Sequence, residues 1–379
     1  MRINTLTDSI PLPVEMVNRP AQLNASVREL AESHTIALDT ESNSFHHYPE
    51  QLCLIQIASR HKIYIIDTIS LHNLAPLRDV LSDASVKKVI HSADYDIRSL
   101  DRHSGLHIRN VFDTSIAAHF TGITRLGLEA LTRDLLDITI NKSKRLQRAD
   151  WGRRPLSAEA LEYAASDVHH LIALKEVLDQ QLRTLGRETW VDEECSRIEE
   201  VRYTAPNLEI AYLNVKGSKY LDGRELAVLQ SLVLFREEEA GRQHRPPFFV
   251  LPDTALIFLA TNPQADLSEV TGLGQTGLKR FGQSLRQALH NGITTPPINR
   301  PPSTKFIRNS QEIKRLRHLK EWRTSLGSSL SLDPSLLWPL ASLERIAKAP
   351  DTFGVEIRSD NIRHWQRDVV ASSLQACLR

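Results

Sequence analysis

The chain has 379 residues, with 47 Lys+Arg against 46 Asp+Glu for a net charge of +1, and 41% hydrophobic residues. That length allows two or three domains, and the composition is ordinary for folded, water-soluble protein. No apolar stretch is long enough to span a bilayer, the opening MRINTLTDSI lacks the basic-then-apolar order of a secretion signal, and Cys53, Cys195 and Cys377 are too scattered for a disulfide framework or a zinc ribbon. A cytoplasmic protein with no membrane partner is expected.

In chain order, Val14 to Val17 reads as a short strand and Ala21 to Glu32 as a helix, with Leu23, Val27 and Leu30 on one side. Ile36-Ala37-Leu38-Asp39-Thr40-Glu41 is an apolar strand that ends in two carboxylates. Alternation along a strand points Asp39 and Glu41 the same way. A polar turn follows, with His46-His47 placed at the surface or near substrate because no third ligand has metal spacing. Leu52 to Ala58 and Ile63 to Asp67 form a hairpin across Ser59-Arg60-His61-Lys62.

From Leu74 onwards helices alternate with short strands: Leu74 to Leu81 a helix, Val86 to Ile90 a strand, Tyr95 to His103 a helix. Val111-Phe112-Asp113 is a strand, with Thr114 placed to cap the helix after it, and Leu126 to Leu136 is a further helix. A meander followed by such alternation predicts an α/β domain with a mixed sheet. The basic segment Asn141 to Trp151 precedes Arg153-Arg154-Pro155, and Ser157 starts a long helix from Ala158 to about Leu182. Cys195 to Ala205 reads as a bridge to a second region.

That second region is helical: Leu226 to Ala240, the apolar patch Phe248 to Leu251, Ala255 to Ala260, and Gly277 to His290 after the turn Thr271-Gly272-Leu273-Gly274. The stretch TTPPINRPPS is a linker, and residues 309–379 are helical again, with Trp322, Trp338 and Trp365 as core anchors. Residues 1–200 carry 23 basic against 29 acidic side chains, and residues 201–379 carry 24 against 17. An acidic half joined to a basic half suits a metal-binding catalyst with a polyanion-binding arm.

Two later sites pair with Asp39 and Glu41. Asp96 follows the strand ending Val89-Ile90 and opens a helix at the edge of the sheet where ligands gather; Asp94 competes for that role. Tyr163 and Asp167 are four apart and share a helix face. Four carboxylates and a phenol of this kind suit a two-metal site that hydrolyses phosphodiesters.

These motifs resemble ribonuclease D, of the tyrosine-type 3′-to-5′ exonucleases. Asp39-Thr40-Glu41 matches the first family motif, His91-Ser92-Ala93-Asp94-Tyr95-Asp96 the second, and Tyr163-Ala164-Ala165-Ser166-Asp167 the third. Phe112-Asp113-Thr114, Lys142-Ser143, Leu146-Gln147 through Asp150-Trp151, and Arg154-Pro155-Leu156 support the match over roughly residues 12–185. Ser42 departs from it, since the family often has an aromatic there. Segment 207–290 resembles an HRDC domain at Leu232 to Arg236, Ala240, Pro247 to Leu251 and Gly272-Leu273-Gly274; residues 309–379 resemble a weaker second copy.

The resemblance implies a ribonuclease H-like exonuclease domain over 1–205, an HRDC-like domain over 206–292, a proline-rich linker over 293–306 and a second HRDC-like domain over 307–379. It implies release of nucleoside 5′-monophosphates from a 3′-hydroxyl end of RNA, tRNA precursors being the typical substrate. DNA is the alternative substrate, and an inert nucleic-acid-binding scaffold the alternative class. Two divalent ions, Mg²⁺ or Mn²⁺, would be held by Asp39, Glu41, Asp96 and Asp167, with Tyr163 orienting the attacking water. His91, Lys142, Lys144, Gln147, Trp151 and Arg154 would contact substrate, and the turn at Gly272 to Gly277 with Lys279 and Arg280 would meet phosphates. No obligate protein partner is implied.

Overall fold

The computed structural model describes residues 12–140, 143–300 and 309–378. Six strands, β1 (Val14–Val17), β2 (Thr35–Ser42), β3 (Leu52–Ala58), β4 (Ile63–Asp67), β5 (Lys87–Ile90) and β6 (Val111–Asp113), form one mixed sheet in the order β1-β4-β3-β2-β5-β6. β3 runs antiparallel to both its neighbours, β2 and β4, and the other pairs are parallel. Every residue of β3 and β4 is buried, as expected of central strands covered on both faces.

The alternation of β2 divides its residues between two cores. Ile36 and Leu38 face a core shared with α1 (Pro20–Ala31), α2 (Leu77–Ser82) and α3 (Asp94–Ser104). Ala37 faces the other, which contains Phe120, Leu131, Leu146, Ala164, Val168 and Leu178. These come from α4 (Thr114–Phe120), α5 (Leu128–Leu136), α6 (Lys144–Gln147), α7 (Ala158–His169) and α8 (Leu171–Leu185). The long helix expected from Ala158 is therefore two helices, breaking at His170, whose φ of −103° and ψ of 0° leave the helical region. Asp113, not Thr114, caps α4: its carboxylate accepts from the N–H groups of Ser115 and Ile116. The segment read as a bridge from Cys195 instead begins inside α9 (Glu188–Glu199).

The helical half follows as α10 (Gly223–Gln243), α11 (Pro247–Val250), α12 (Asp253–Thr261) and α13 (Gly274–Thr294), closed around their own core. Asp222 and Glu225 form a capping box at the start of α10. After residue 308 come α14 (Ser310–Leu330), α15 (Pro334–Leu337), α16 (Leu340–Lys348), α17 (Phe353–Glu356), α18 (His364–Val369) and α19 (Ala371–Cys377). The first three helices of each set match in length, at 21, 4 and 9 residues, and both short helices begin with proline.

The two helical sets meet the sheet domain differently. Trp338, Trp365, Leu343 and Leu374 join the same apolar cluster as Phe120, Leu178 and Val191, so the last seventy or so residues extend the sheet domain's core. Trp365 stacks on Trp190 at 4.8 Å and meets Phe120 edge-on at 5.4 Å, while Arg363 makes a two-pronged ion pair with Glu194. Trp338 and Trp365 are core anchors, as expected; Trp322 is only half-buried and donates to Ser373. The first set touches the sheet domain at the turn after β2. There the Tyr48 hydroxyl donates to Glu237, the Tyr48 N–H donates to the His244 carbonyl, and the His47 and His244 rings stack at 5.5 Å. Among the described residues no helix is long and apolar enough to cross a membrane.

Candidate active site

Because odd-numbered residues of β2 face α7, Asp39 and Glu41 look toward Asp167, which is 5% exposed on that helix. One carboxylate oxygen from each of the three lies within 4.8 Å of the others. Like charges held that close repel, and hard oxygen donors in such a group suit a divalent cation such as Mg²⁺. A second observation fits a cation with its water at this point. Gln56 stands opposite Asp39 in β3, is fully buried, and neither its amide nitrogen nor its oxygen has a hydrogen-bond partner among the described residues. Native interiors rarely leave both ends of an amide unsatisfied, so the donor set is compatible with an ion and its water.

Tyr163, one helical turn before Asp167, is 5% exposed and packs against Trp151 with ring centroids 6.0 Å apart. Burial pushes its phenol pKa well above the ordinary value, and the negative charges of Asp167, Glu41 and Asp39 add to this, while a hydrogen bond with Gln147 opposes it. The phenol therefore faces the acids and stays protonated.

Asp96 stands apart from the three-acid group. Thr40 points to the opposite face of β2 from its neighbours, and its hydroxyl donates to Asp96 Oδ1 at 2.5 Å. Burial pushes the Asp96 carboxyl up to about 7, against the Thr40 hydrogen bond and helped by the charge of Asp113. Asp94 does not compete for the position: it is exposed and paired with Arg98 at 2.8 Å.

The expected substrate contacts divide. Gln147 is exposed and hydrogen-bonds Tyr163, Lys144 is exposed at the start of the same short helix, and His91 Nδ1 meets Thr114 Oγ1 at 2.9 Å. Trp151 is 1% exposed and acts as the floor under Tyr163. Arg154 is committed to the fold, because its guanidinium donates to both Asp67 oxygens at 2.6 and 2.9 Å and to the Cys53 and Trp151 carbonyls. Lys142 lies outside the described residues. His46 and His47 hold the turn after β2, His46 through the Arg148 carbonyl at 2.8 Å. Gln56 and Thr40 escaped the sequence reading; the register of β3 against β2, which no motif encodes, is what brings the first beside Asp39.

Comparison with known proteins bears on the family of the chain. Residues 14–183 match the 3'-5' exonuclease family and residues 225–289 match the HRDC domain. The ribonuclease D of Desulfotalea psychrophila is 30% identical over 339 residues, covering 87% of this chain and 90% of its own. That of Zymomonas mobilis is 32% identical over 296 residues, covering 76% and 74%. The crystal structure of Escherichia coli RNase D, described as an exoribonuclease involved in structured RNA processing, superposes with a TM-score of 0.74 over 97% of this chain and 99% of that one, a likeness of fold at 23% identity. With its exonuclease sheet domain followed by an HRDC domain, the chain belongs to the ribonuclease D family of 3′-to-5′ exoribonucleases.

Proposed function

We propose that Asp39, Glu41 and Asp167, with Asp96 acting through water, hold two divalent ions, Mg²⁺ or Mn²⁺, at the point where this enzyme cuts RNA. The observation that carries the reading is the convergence of three carboxylates from a strand end and a helix, beside a buried phenol and an unsatisfied buried amide. When bound, the ions supply an activated water and neutralise charge at the phosphodiester. The chain's own groups do the positioning. Tyr163, kept protonated by burial and by the neighbouring acids, orients the attacking water through a hydrogen bond and does not remove its proton. Gln147 steadies the phenol, and Trp151 fixes the ring from below. Arg154 supports the site through Asp67, its substrate contact being given up to that pair. Lys144, Lys142 and His91 contact the RNA near its 3′ end.

The matched lengths of the two helical sets support reading residues 307–379 as a second HRDC-like copy. Structured RNA such as tRNA precursors is the substrate class that suits an exonuclease carrying these modules, in a reducing cytoplasm that suits three free thiols. Lys279 and Arg280, exposed on α13, are available to its phosphates.

The test incubates matched RNA and DNA oligonucleotides, with 3′-hydroxyl and 3′-phosphate ends, in Mg²⁺ or Mn²⁺. RNA with a free 3′-hydroxyl should release nucleoside 5′-monophosphates one at a time. Asp39→Ala and Asp167→Ala should abolish release, and Tyr163→Phe should lower kcat with little change in KM. Undiminished cleavage by Asp167→Ala would place the reaction elsewhere.

A further inference from the structure

α6 (Lys144–Gln147) is a single helical turn, too short to hold itself, yet its last residue carries the amide that meets the Tyr163 phenol. That hydrogen bond opposes the rise in the phenol pKa, so the amide N–H donates to the phenol oxygen. It thereby fixes the direction in which the phenol gives its own proton. Whatever holds Gln147 in place governs where Tyr163 points. Leu146 is buried and anchors one side of the turn, while Arg145 pairs with Glu159 at the surface. A further tether comes from far back in the chain: His46 Nε2 meets the Arg148 carbonyl at 2.8 Å, and Arg148 is the residue that ends the helix. A carbonyl only accepts, so Nε2 carries the proton and the imidazole is the donor.

The perch of His46 is itself fixed on two sides. The His46 and His47 N–H groups donate to the Asn43 carbonyl at 2.8 and 2.9 Å. The Asn43 side chain, 3% exposed, is held in turn by the Gln51 N–H and the Gln51 amide oxygen. Asn43 also closes on the loop that follows α6, since a Cβ at Gly152 would lie 2.7 Å from Asn43 Nδ2 and only glycine admits that approach. On the outer side, the Tyr48 hydroxyl grips Glu237 and the His47 ring stacks on His244, both in the first helical set. The turn after β2 thus clips the loop at Arg148 and at Gly152, with Trp151, the floor under Tyr163, between them.

We propose that His46 is a positioning residue for the hydrolysis: by holding the Arg148 carbonyl it keeps the Gln147 amide on the Tyr163 hydroxyl. It acts through Gln147 and not through a contact with RNA. The proposal rests on the reading that Tyr163 orients the attacking water.

The experiment uses the full chain with Mg²⁺ and an RNA oligonucleotide bearing a 3′-hydroxyl, with kcat and KM measured separately. His46→Ala should lower kcat by about 3- to 10-fold, the worth of one hydrogen bond, and leave KM within about two-fold. His46→Gln, whose Nε2 also donates at similar reach, should restore most of the loss. The decisive comparison is a double-mutant cycle. In Gln147→Ala, adding His46→Ala should change kcat by less than about two-fold, because the group that His46 positions is already gone.

An equal loss of kcat in the native and Gln147→Ala backgrounds would show that His46 only braces the turn, and would overturn the proposal. So would a rise in KM at unchanged kcat, which would make His46 an RNA contact. Tyr163→Phe separates the two readings. If it leaves kcat unchanged, Tyr163 does not orient the water and both readings fall. If it lowers kcat while His46→Ala does not, the proposed function stands and the positioning role alone fails.

Discussion

Replacing Trp365 with alanine should unfold more than the helical set that carries it. The indole is 4% exposed, lies 4.8 Å from Trp190 at an interplanar angle of 18°, and meets Phe120 edge-on at 85°. Truncating a buried tryptophan costs about 3–5 kcal/mol, counting lost transfer energy and the void left behind. The Trp190 and Phe120 contacts place this site toward the upper end, since stacked and edge-on aromatic pairs contribute about 0.5–1.5 kcal/mol beyond their area. The Arg363–Glu194 pair stays intact, so no buried charge is stranded. Because the cluster runs unbroken from Phe120 and Val191 into Leu343 and Leu374, the cost falls on the sheet domain as well. Thermal unfolding followed by near-ultraviolet circular dichroism should show one transition for these parts, lowered on the order of 10 °C in Trp365→Ala. Two resolved transitions in the native chain, with only the second shifted by Trp365→Ala, would refute the shared core.

Two further outcomes follow from buried polar groups. Lys88 is fully buried, its ammonium donating to the Asp83 and Val86 carbonyls, and burial lowers its pKa from 10.5 to about 8 despite the pull of Asp83 and Glu199. Between those values the unfolded chain holds a proton that the folded chain has released, so stability rises with pH, by about 3 kcal/mol in all. Urea unfolding at stepped pH should show native stability gaining on Lys88→Met from pH 8 upward, and parallel curves would contradict the shift. Gln56→Leu should raise the metal-free melting temperature, because it removes a buried amide that lacks partners at a cost of about 1–3 kcal/mol; a lower melting temperature would mean that the amide is satisfied in solution.

What the sequence made legible was periodic. Alternation in Ile36 to Glu41 put Asp39 and Glu41 on one face, and the four-residue spacing put Tyr163 and Asp167 on another; four acids and a phenol were expected together, and three of the acids lie together with the phenol beside them, Asp96 standing apart. The same alternation, applied to Thr40, explains why its hydroxyl meets Asp96; the motif alone did not say which face α3 covers. Arg154 and Trp151 carry side chains that bind nucleic acid in many proteins, and only tertiary packing reveals that Asp67 and Tyr163 occupy them. The break at His170 was missed because no proline or glycine marks it, while the helix at Glu188–Glu199 was missed although Gly186, at a φ of 65°, ends the preceding helix just before it. The linker composition around TTPPINRPPS suggested an independent last domain, whereas side chains far along the chain, Trp338 and Trp365, close the first domain's core.

The placement of the acids on β2 and α7 sets an order of events during synthesis. Asp39, Glu41 and Asp96 leave the ribosome early, but the sheet face that receives Asp167 is covered only when α7 and α8 arrive, and that core is complete only with the final helices. The proposed centre therefore joins an early segment, β2, to a later one, α7, and neither alone brings the three carboxylates together.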